Sequence, residues 1–228
     1  MLTGSKSATD AARVIGLLDV GTSKICCLVA DLGAAGARRE AGGPPLRILG
    51  IGHQRSAGVK AGVITNLEEA EGAIRAAVSQ AERAAGVRVE TVVVAVACGR
   101  LKSATFAAHA EIDSGAVRDG DIARVLAGGR TFAERDGRTL VHMTRVGYRL
   151  DGAPGVVDPR GMAARRLTAD LHAVTADDAP VRNLLLAVER CHLTTTGLIA
   201  APYASAIAAT SASSAATPYV GTMTVVFA

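Results

Sequence analysis

The sequence is poor in aromatic side chains: its 228 residues include no Trp, three Tyr and three Phe. A core must therefore be assembled from Ala, Val, Leu and Ile. The stacking platforms of single-stranded nucleic-acid binders have almost nothing to be built from. Excess charge is scarce too, with 25 Lys and Arg against 21 Asp and Glu for a net +4. The Arg residues are scattered and do not gather on one face, which argues against nucleic acid as a partner. Cysteine is limited to Cys26, Cys27, Cys98 and Cys191, with no C-x-x-C pair and no Cys/His spacing of the zinc type. Cys26 and Cys27 are neighbours in a strand-like run, so they point to opposite faces and cannot share an ion. They read as small buried thiols of a reducing compartment.

Long apolar runs are also missing. The longest weakly polar stretch, residues 196–209, contains Pro202, Tyr203 and Ser205 and falls short of the ~20 apolar residues that a membrane span needs. Residues 1–12 are small and polar, and Asp19 interrupts the first apolar run, so no secretory signal is read there. These absences lead to the expectation of a cytoplasmic chain with a disordered tail over residues 1–12.

What is present is the composition of a folded protein, 49% hydrophobic and 20% charged. Val14 to Asp19 and Ile25 to Ala30 are β-prone runs around Val20-Gly21-Thr22-Ser23-Lys24, which predicts a hairpin. A third strand is expected from Leu46 to His53, after a Gly-, Ala-, Arg- and Pro-rich loop over residues 33–45. A helix follows: Thr65 or Asn66 can cap it, with Glu68 or Glu69 three residues on. Leu67, Ala70, Ile74, Ala77, Val78, Ala81 and Ala85 recur at helical spacing, and Gly86 can end it. Thr91 to Ala97, nearly all Val and Ala, suits a buried strand.

From Leu101 the rhythm changes. Strands are expected over residues 101–112, 139–150 and 166–174, with a helix around 121–127, and this predicts a small α+β unit. The domain reading is a first α/β piece over residues 13–86, an insert over 87–168, and a second α/β piece over 169–228 that turns atypical after 210. Asp177, Asp178 and Pro180 read as the start of a helix carrying Val181, Leu184, Leu185, Val188 and Cys191 on its apolar stripe. Helix capping, not paired-carboxylate chemistry, is the expected role of the two acids. A short strand over 197–200, an Ala-rich helix over 203–210, a small-residue linker and a final strand-like run over 219–227 complete the chain. His53, His109, His142, His172 and His192 show no ligand spacing, and His142 and His172 sit in strand patterns where packing or a backbone hydrogen bond is the expected role.

The sharpest chemical signal is Asp19-Val20-Gly21-Thr22-Ser23-Lys24. A tight turn with consecutive backbone N–H groups, two hydroxyls and an ammonium is suited to a polyphosphate. Asp19, at the end of the first strand, is placed to hold a Mg²⁺ ion through its waters. A plain hairpin remains the alternative on these six residues alone.

The chain resembles the FtsA family of bacterial cell-division proteins, within the actin and heat-shock ATPase superfamily. The resemblance runs through Gly16 to Lys24 with its DVGTSK, Gly50-Ile51-Gly52, Gly58 to Asn66 and Val92 to Gly99. It continues through His142 to Gly152, Asp158 to Met162 and Leu171 to Val174, then Asn183 to Cys191 with its AVERC and Gly197 to Ala206 with its APYAS. It implies an α/β fold: an actin-like (ribonuclease H-like) first lobe interrupted by a small α+β insert of SHS2 type, with the second lobe lying outside this sequence. ATP and Mg are the implied cofactors. Asp19 is the implied magnesium-linked acid, and Gly21, Thr22, Ser23 and Lys24 the implied first phosphate loop. The family's second loop, of the form D-x-G-G-G-T-T, has at most a remnant in Gly221 and Thr222, which also read as ordinary strand residues.

The implied function is that of an ATP-binding adaptor that self-associates into filaments, assembles at the division ring and links FtsZ polymers to the cytoplasmic membrane. Its implied partners are FtsZ and other division proteins. Its implied location is the cytoplasmic face of the inner membrane at the division site, reached through a C-terminal helix that this sequence does not contain. No residue is placed to orient a hydrolytic water, so catalysis by this chain alone is not expected, beyond at most a weak ATPase. A sugar-type small-molecule kinase of the same superfamily is the alternative activity, and the insert argues against it. A truncated copy keeping only protein-contact surface is the third reading.

Overall fold

A computed structural model describes residues 14–33, 47–213 and 223–225. The chain splits into two compact units, Met1–Ala95 with Leu185–Thr196, and Val96–Leu184 with Gly197–Ala228.

The first unit begins with β1 (Val14–Val20) and β2 (Lys24–Asp31). They pair antiparallel from Val14 opposite Asp31 to Val20 opposite Ile25. β3 (Arg47–Arg55) pairs antiparallel with β2. A short hairpin of β4 (Val59–Lys60) and β5 (Val63–Ile64) leads to α1 (Leu67–Ala85). β6 (Thr91–Val96) then pairs parallel with β1.

The start of α1 falls where the sequence placed it. Asn66 has an extended backbone and its side-chain oxygen accepts the Glu69 N–H at 3.3 Å. Glu68 and Glu69 in the first turn and Arg83 in the last complement the helix dipole. Gly86, at φ +70°, ends the helix by donating its N–H to the Glu82 carbonyl at 2.8 Å. The buried stripe of Ala70, Ile74, Ala77, Val78 and Ala81 lies against β3 at positions where β3 has no side chains. A Cβ added at Gly50 would stand 2.6 Å from the Ala85 nitrogen, and one at Gly52 would stand 2.7 Å from the Ala81 nitrogen. Backbone therefore packs directly on backbone.

In this unit Leu18, Ile25, Cys27, Val29, Ile74, Val92 and Val94 are each at most 1% exposed. Full burial of an aliphatic side chain contributes about 1.5–3 kcal/mol, so this Val/Ile/Leu layer substitutes for the missing aromatics. Burial also pushes the Cys27 thiol up to about 12, with smaller contributions from Cys26 and Glu82, which keeps it an unreactive packing group.

The second unit contains β7 (Lys102–Glu111), α2 (Asp119–Ala133), β8 (Arg138–Leu150), β9 (Ala153–Val156) and β10 (Arg166–Asp177). The chain continues through α3 (Asp178–Glu189), β11 (Thr194–Ala200), α4 (Ala201–Ser213) and β12 (Met223–Val225). β11 takes the place beside β6 in a sheet ordered β11-β6-β1-β2-β3, and the second sheet runs β12-β8-β10-β7. The rhythm of the sequence suggested an insert from Val87, but β6 belongs to the first sheet because it runs parallel beside β1. α2 is longer than its apolar pattern suggested and passes through Gly128 and Gly129. A Cβ at Gly129 would overlap the Leu171 side chain, so this glycine lets the helix settle on the sheet. Ile122, Val125, Leu140, Leu167 and Leu171 form the buried centre.

Asp177 and Asp178 are held otherwise than as a capping pair. The Arg138 guanidinium pairs with Asp177 and also donates to the Thr175 carbonyl at 2.7 Å and the Arg100 carbonyl at 3.1 Å. Arg100 pairs with Asp177 at 2.6 Å, and hydrogen bonding from Arg100 is the main reason the Asp177 carboxyl sits below the usual range. Asp178 accepts from the Thr139 hydroxyl at 2.7 Å and pairs with Arg182 at 2.6 Å. His142 is fully buried among the packing residues, as expected, but neither of its ring nitrogens has a hydrogen-bond partner. Its ring lies 4.4 Å from that of Tyr203, and burial lowers its pKa, assisted by His172.

Gly52→Ala is expected to lower the urea midpoint by an amount equivalent to about 1–3 kcal/mol, because α1 must lift off β3. Gly72→Ala, on the same helix where nothing lies within 4 Å, is expected to stabilise by roughly 0.5–1 kcal/mol.

Candidate phosphate-binding turn

The β1–β2 hairpin closes through the Gly21 N–H, which donates to the Lys24 carbonyl at 3.0 Å. A Cβ at Gly21 would stand 3.0 Å from that oxygen, so glycine permits the tight closure. Thr22 and Ser23 occupy the tip, and Thr22, Ser23 and Lys24 are exposed. The tip is held from two sides. The Ser56 N–H, just past β3, donates to the Ser23 carbonyl at 3.1 Å. The Gly62 N–H, between β4 and β5, donates to the Thr22 hydroxyl oxygen at 2.8 Å.

Those two ties orient the tip without using its donors. Among the described residues, the amides of Thr22 and Ser23 have no backbone acceptor, and the Thr22 hydroxyl hydrogen stays available because its oxygen is the acceptor in the bond to Gly62. Two consecutive N–H groups without a backbone acceptor on a fixed turn are the kind of donors that an anion requires.

The loop that supplies Gly62 is itself shaped by backbone conformation. Ala61 and Gly62 are left-handed at φ +50° and +75°, and Gly58 at +68°. The Gly58 carbonyl accepts both the Thr65 N–H at 2.8 Å and the Asn66 N–H at 3.1 Å. A Cβ at Gly58 would come within 2.8 Å of the Ala70 nitrogen. The segment between β3 and α1 therefore works as a bracket, running from Ser56 through Gly62 to the helix cap.

Asp19 stands on β1 opposite Cys26 of β2 and beside Ala95 of β6. It is exposed, yet the surrounding protein removes enough water that desolvation holds its carboxyl above the usual value of 3.8. The Lys24 ammonium opposes that rise by a smaller amount. No side chain donates a hydrogen bond to it among the described residues. An under-solvated carboxylate without a donor, next to free amides, suits a hydrated cation accompanying a phosphate.

The structure thus brings Asp19, Gly21, Thr22, Ser23 and Lys24 to one end of the hairpin. Gly221 and Thr222 lie outside the described residues. In the sequence Gly58 and Gly62 stand out only within the stretch from Gly58 to Asn66 that carries the family resemblance. Their role in holding the turn depends on a contact between residues 40 positions apart, and the glycine spacing is the one local sign of it.

Residues 98–175 match the family model described as the SHS2 domain inserted in FtsA. The cell division protein FtsA of Agrobacterium fabrum is 39% identical over 207 residues, covering 89% of this chain and 46% of that protein. The chain is similar in sequence to FtsA proteins along the part it covers. The FtsA proteins of Rhizobium meliloti and Escherichia coli K12 are 36% and 28% identical, each over 87% of this chain and 45% of their own length. The chain therefore spans about half the length of the FtsA relatives it matches. A solved PilM-PilN type IV pilus biogenesis complex aligns with a TM-score of 0.51 over 82% of this chain and 47% of that one at 13% identity, which bears on the fold alone. The architecture is that of a partial actin-like lobe carrying the FtsA-type insert. Among the described residues no helix is long and apolar enough to cross a membrane.

Thr22→Val removes the acceptor of the Gly62 N–H and should raise hydrogen exchange at Gly62 about fivefold, corresponding to the ~1 kcal/mol net worth of one hydrogen bond. Unchanged exchange would show that the bracket does not depend on this contact. Asp19→Asn should raise the melting temperature at neutral pH, since the ionised acid is the disfavoured form in the folded state. The sign follows from linkage: a raised acid costs stability above its folded pKa and nothing below its unfolded one. The gain should vanish as the pH falls below 3.8.

Proposed function

We propose that this chain supplies one phosphate-gripping side of an ATP-binding, actin-like cell-division adaptor, together with the subdomain through which that adaptor meets other proteins. The observation that carries the reading is the bracketed turn at Thr22 and Ser23, with free amides and an under-solvated Asp19 beside it. The Thr22 and Ser23 amides, the Thr22 hydroxyl and the Lys24 ammonium would hold phosphate oxygens. Asp19 would hold a Mg²⁺ ion through water, and bound Mg²⁺ would offset phosphate charge.

The nucleotide serves binding and assembly in this reading, and turnover is at most weak. A base or water-positioning side chain is not among the groups gathered at the turn. Similarity to FtsA cell-division proteins supports division proteins as partners. The finer reading is an adaptor that forms filaments, binds FtsZ polymers and works at the cytoplasmic face of the inner membrane at the division site, with membrane contact made by a segment other than the residues described. The sugar-kinase reading is disfavoured by the match of residues 98–175 to the FtsA insert.

Titration calorimetry of the 228-residue chain with ATP and Mg²⁺ tests the first step. Saturable binding that weakens at least tenfold in Asp19→Ala, a loss of about 1.4 kcal/mol, is the expected result. No heat of binding from a chain folded by circular dichroism would refute the nucleotide reading for this chain.

A further inference from the structure

β7 is an edge strand. It pairs with β10 from Lys102 opposite Thr175 to Glu111 opposite Arg166 without a register shift, and no described strand lies on its other side. The direction of its free groups follows from the ladder. The Ile112 N–H donates to the Arg165 carbonyl at 2.7 Å, so residue 112 faces β10 and residue 111 faces away. The Arg124 guanidinium reaches the Glu111 carbonyl from that outer side at 2.7 Å, in agreement. Stepping back by two, Ser103, Thr105, Ala107 and His109 turn their N–H and C=O groups outward.

The strand carries little that would discourage pairing. Between Lys102 and Glu111 it reads Ser-Ala-Thr-Phe-Ala-Ala-His-Ala, with no Lys, Arg, Asp, Glu, Pro or Gly. Edge strands that must stay single usually carry such residues or a bulge. On the face covered by α2, Phe106 packs against Phe132 with ring centres 4.9 Å apart and planes tilted by 49°. Phe132 is 50% exposed, although large apolar groups at an edge favour burial.

We propose that β7 pairs antiparallel with β7 of a second copy of this chain, about a two-fold axis at Phe106. Outward-facing residues must meet outward-facing residues, so the register pairs Ser103 with His109 and Thr105 with Ala107 of the other strand. Phe106 meets its own counterpart as a non-hydrogen-bonded pair, the arrangement that brings side chains closest. The two Phe106–Phe132 pairs then form one four-ring cluster. A strand that is its own complement is what an isologous interface requires, and this points to a second copy over an unrelated peptide. The inference sharpens the self-association proposed above into one surface and one register, and it does not depend on the nucleotide turn.

Sedimentation velocity of the 228-residue chain over a hundredfold concentration range, with three variants, tests it. Thr105→Pro removes an outward donor and leaves the β10 ladder intact; Ala107→Lys places a charge on the edge. Both should weaken dimerisation at least tenfold while circular dichroism stays unchanged. Phe106→Cys should form a disulfide dimer under mild oxidation, with the 106–106 link found by peptide mapping and with far less dimer from Thr105→Cys. A wild-type chain that stays monomeric throughout overturns the proposal. Association that persists in Ala107→Lys without a 106–106 link also overturns it, while leaving self-association through another surface and the nucleotide reading standing.

Discussion

The direct contact of the α1 backbone with the β3 backbone is the constraint on which the candidate site rests. Gly50 and Gly52 remove the side chains that would hold the helix away, and Ala77, Ala81 and Ala85 do the same from the helix side. With α1 set at that depth, the chain between β3 and α1 has few residues in which to reverse direction. It does so through left-handed positions at Gly58, Ala61 and Gly62. That compact reversal delivers the Ser56 and Gly62 amides to the tip of the first hairpin. The turn is held by a neighbouring segment whose shape comes from packing, which is how a scaffold keeps a binding loop in place without spending the loop's own donors.

The second unit is organised by different means. Its sheet is covered by α2 on one face, and Gly129 allows that helix close to Leu171. Arg138 gathers Asp177 and the carbonyls of Thr175 and Arg100, so the end of β10 and the start of α3 share a charged clasp. Several of these groups are partly exposed, and their worth is set by bidentate and multiple contacts more than by charge alone. The far edge of the same sheet has no such clasp and no charges along its centre. The contrast between an anchored end and a bare edge is the most asymmetric feature of the unit.

Much of the fold was legible because its local signals agree with one another. Asn66, the Glu pair and Gly86 marked α1 almost to the residue, and the hairpin around Gly21 was visible in its flanking apolar runs. The residues of the candidate turn were likewise readable, since Asp19 to Lys24 are contiguous. The Val87 boundary shows where pattern reading loses discrimination. The Val-rich β6 looks the same whether it belongs to one sheet or another, because burial periodicity does not record which strand lies alongside. The length of α2 was underestimated for a related reason: Gly128 and Gly129 weaken a helix locally, and the gain from close packing against Leu171 is a tertiary effect.

The sequence by itself determined the elements, the aliphatic character of the core, the residues of the candidate turn and the similarity to FtsA. These depend on composition, short-range periodicity and contiguous residues. The tertiary structure decided that Gly62 and Ser56 hold that turn, that Asp177 serves an arginine clasp and not a helix cap, that His142 is buried without a hydrogen-bond partner, and that β7 is left at an edge. Each of those facts involves groups far apart in the chain, whose meeting is set by how helices and strands pack and not by the residues nearest to them.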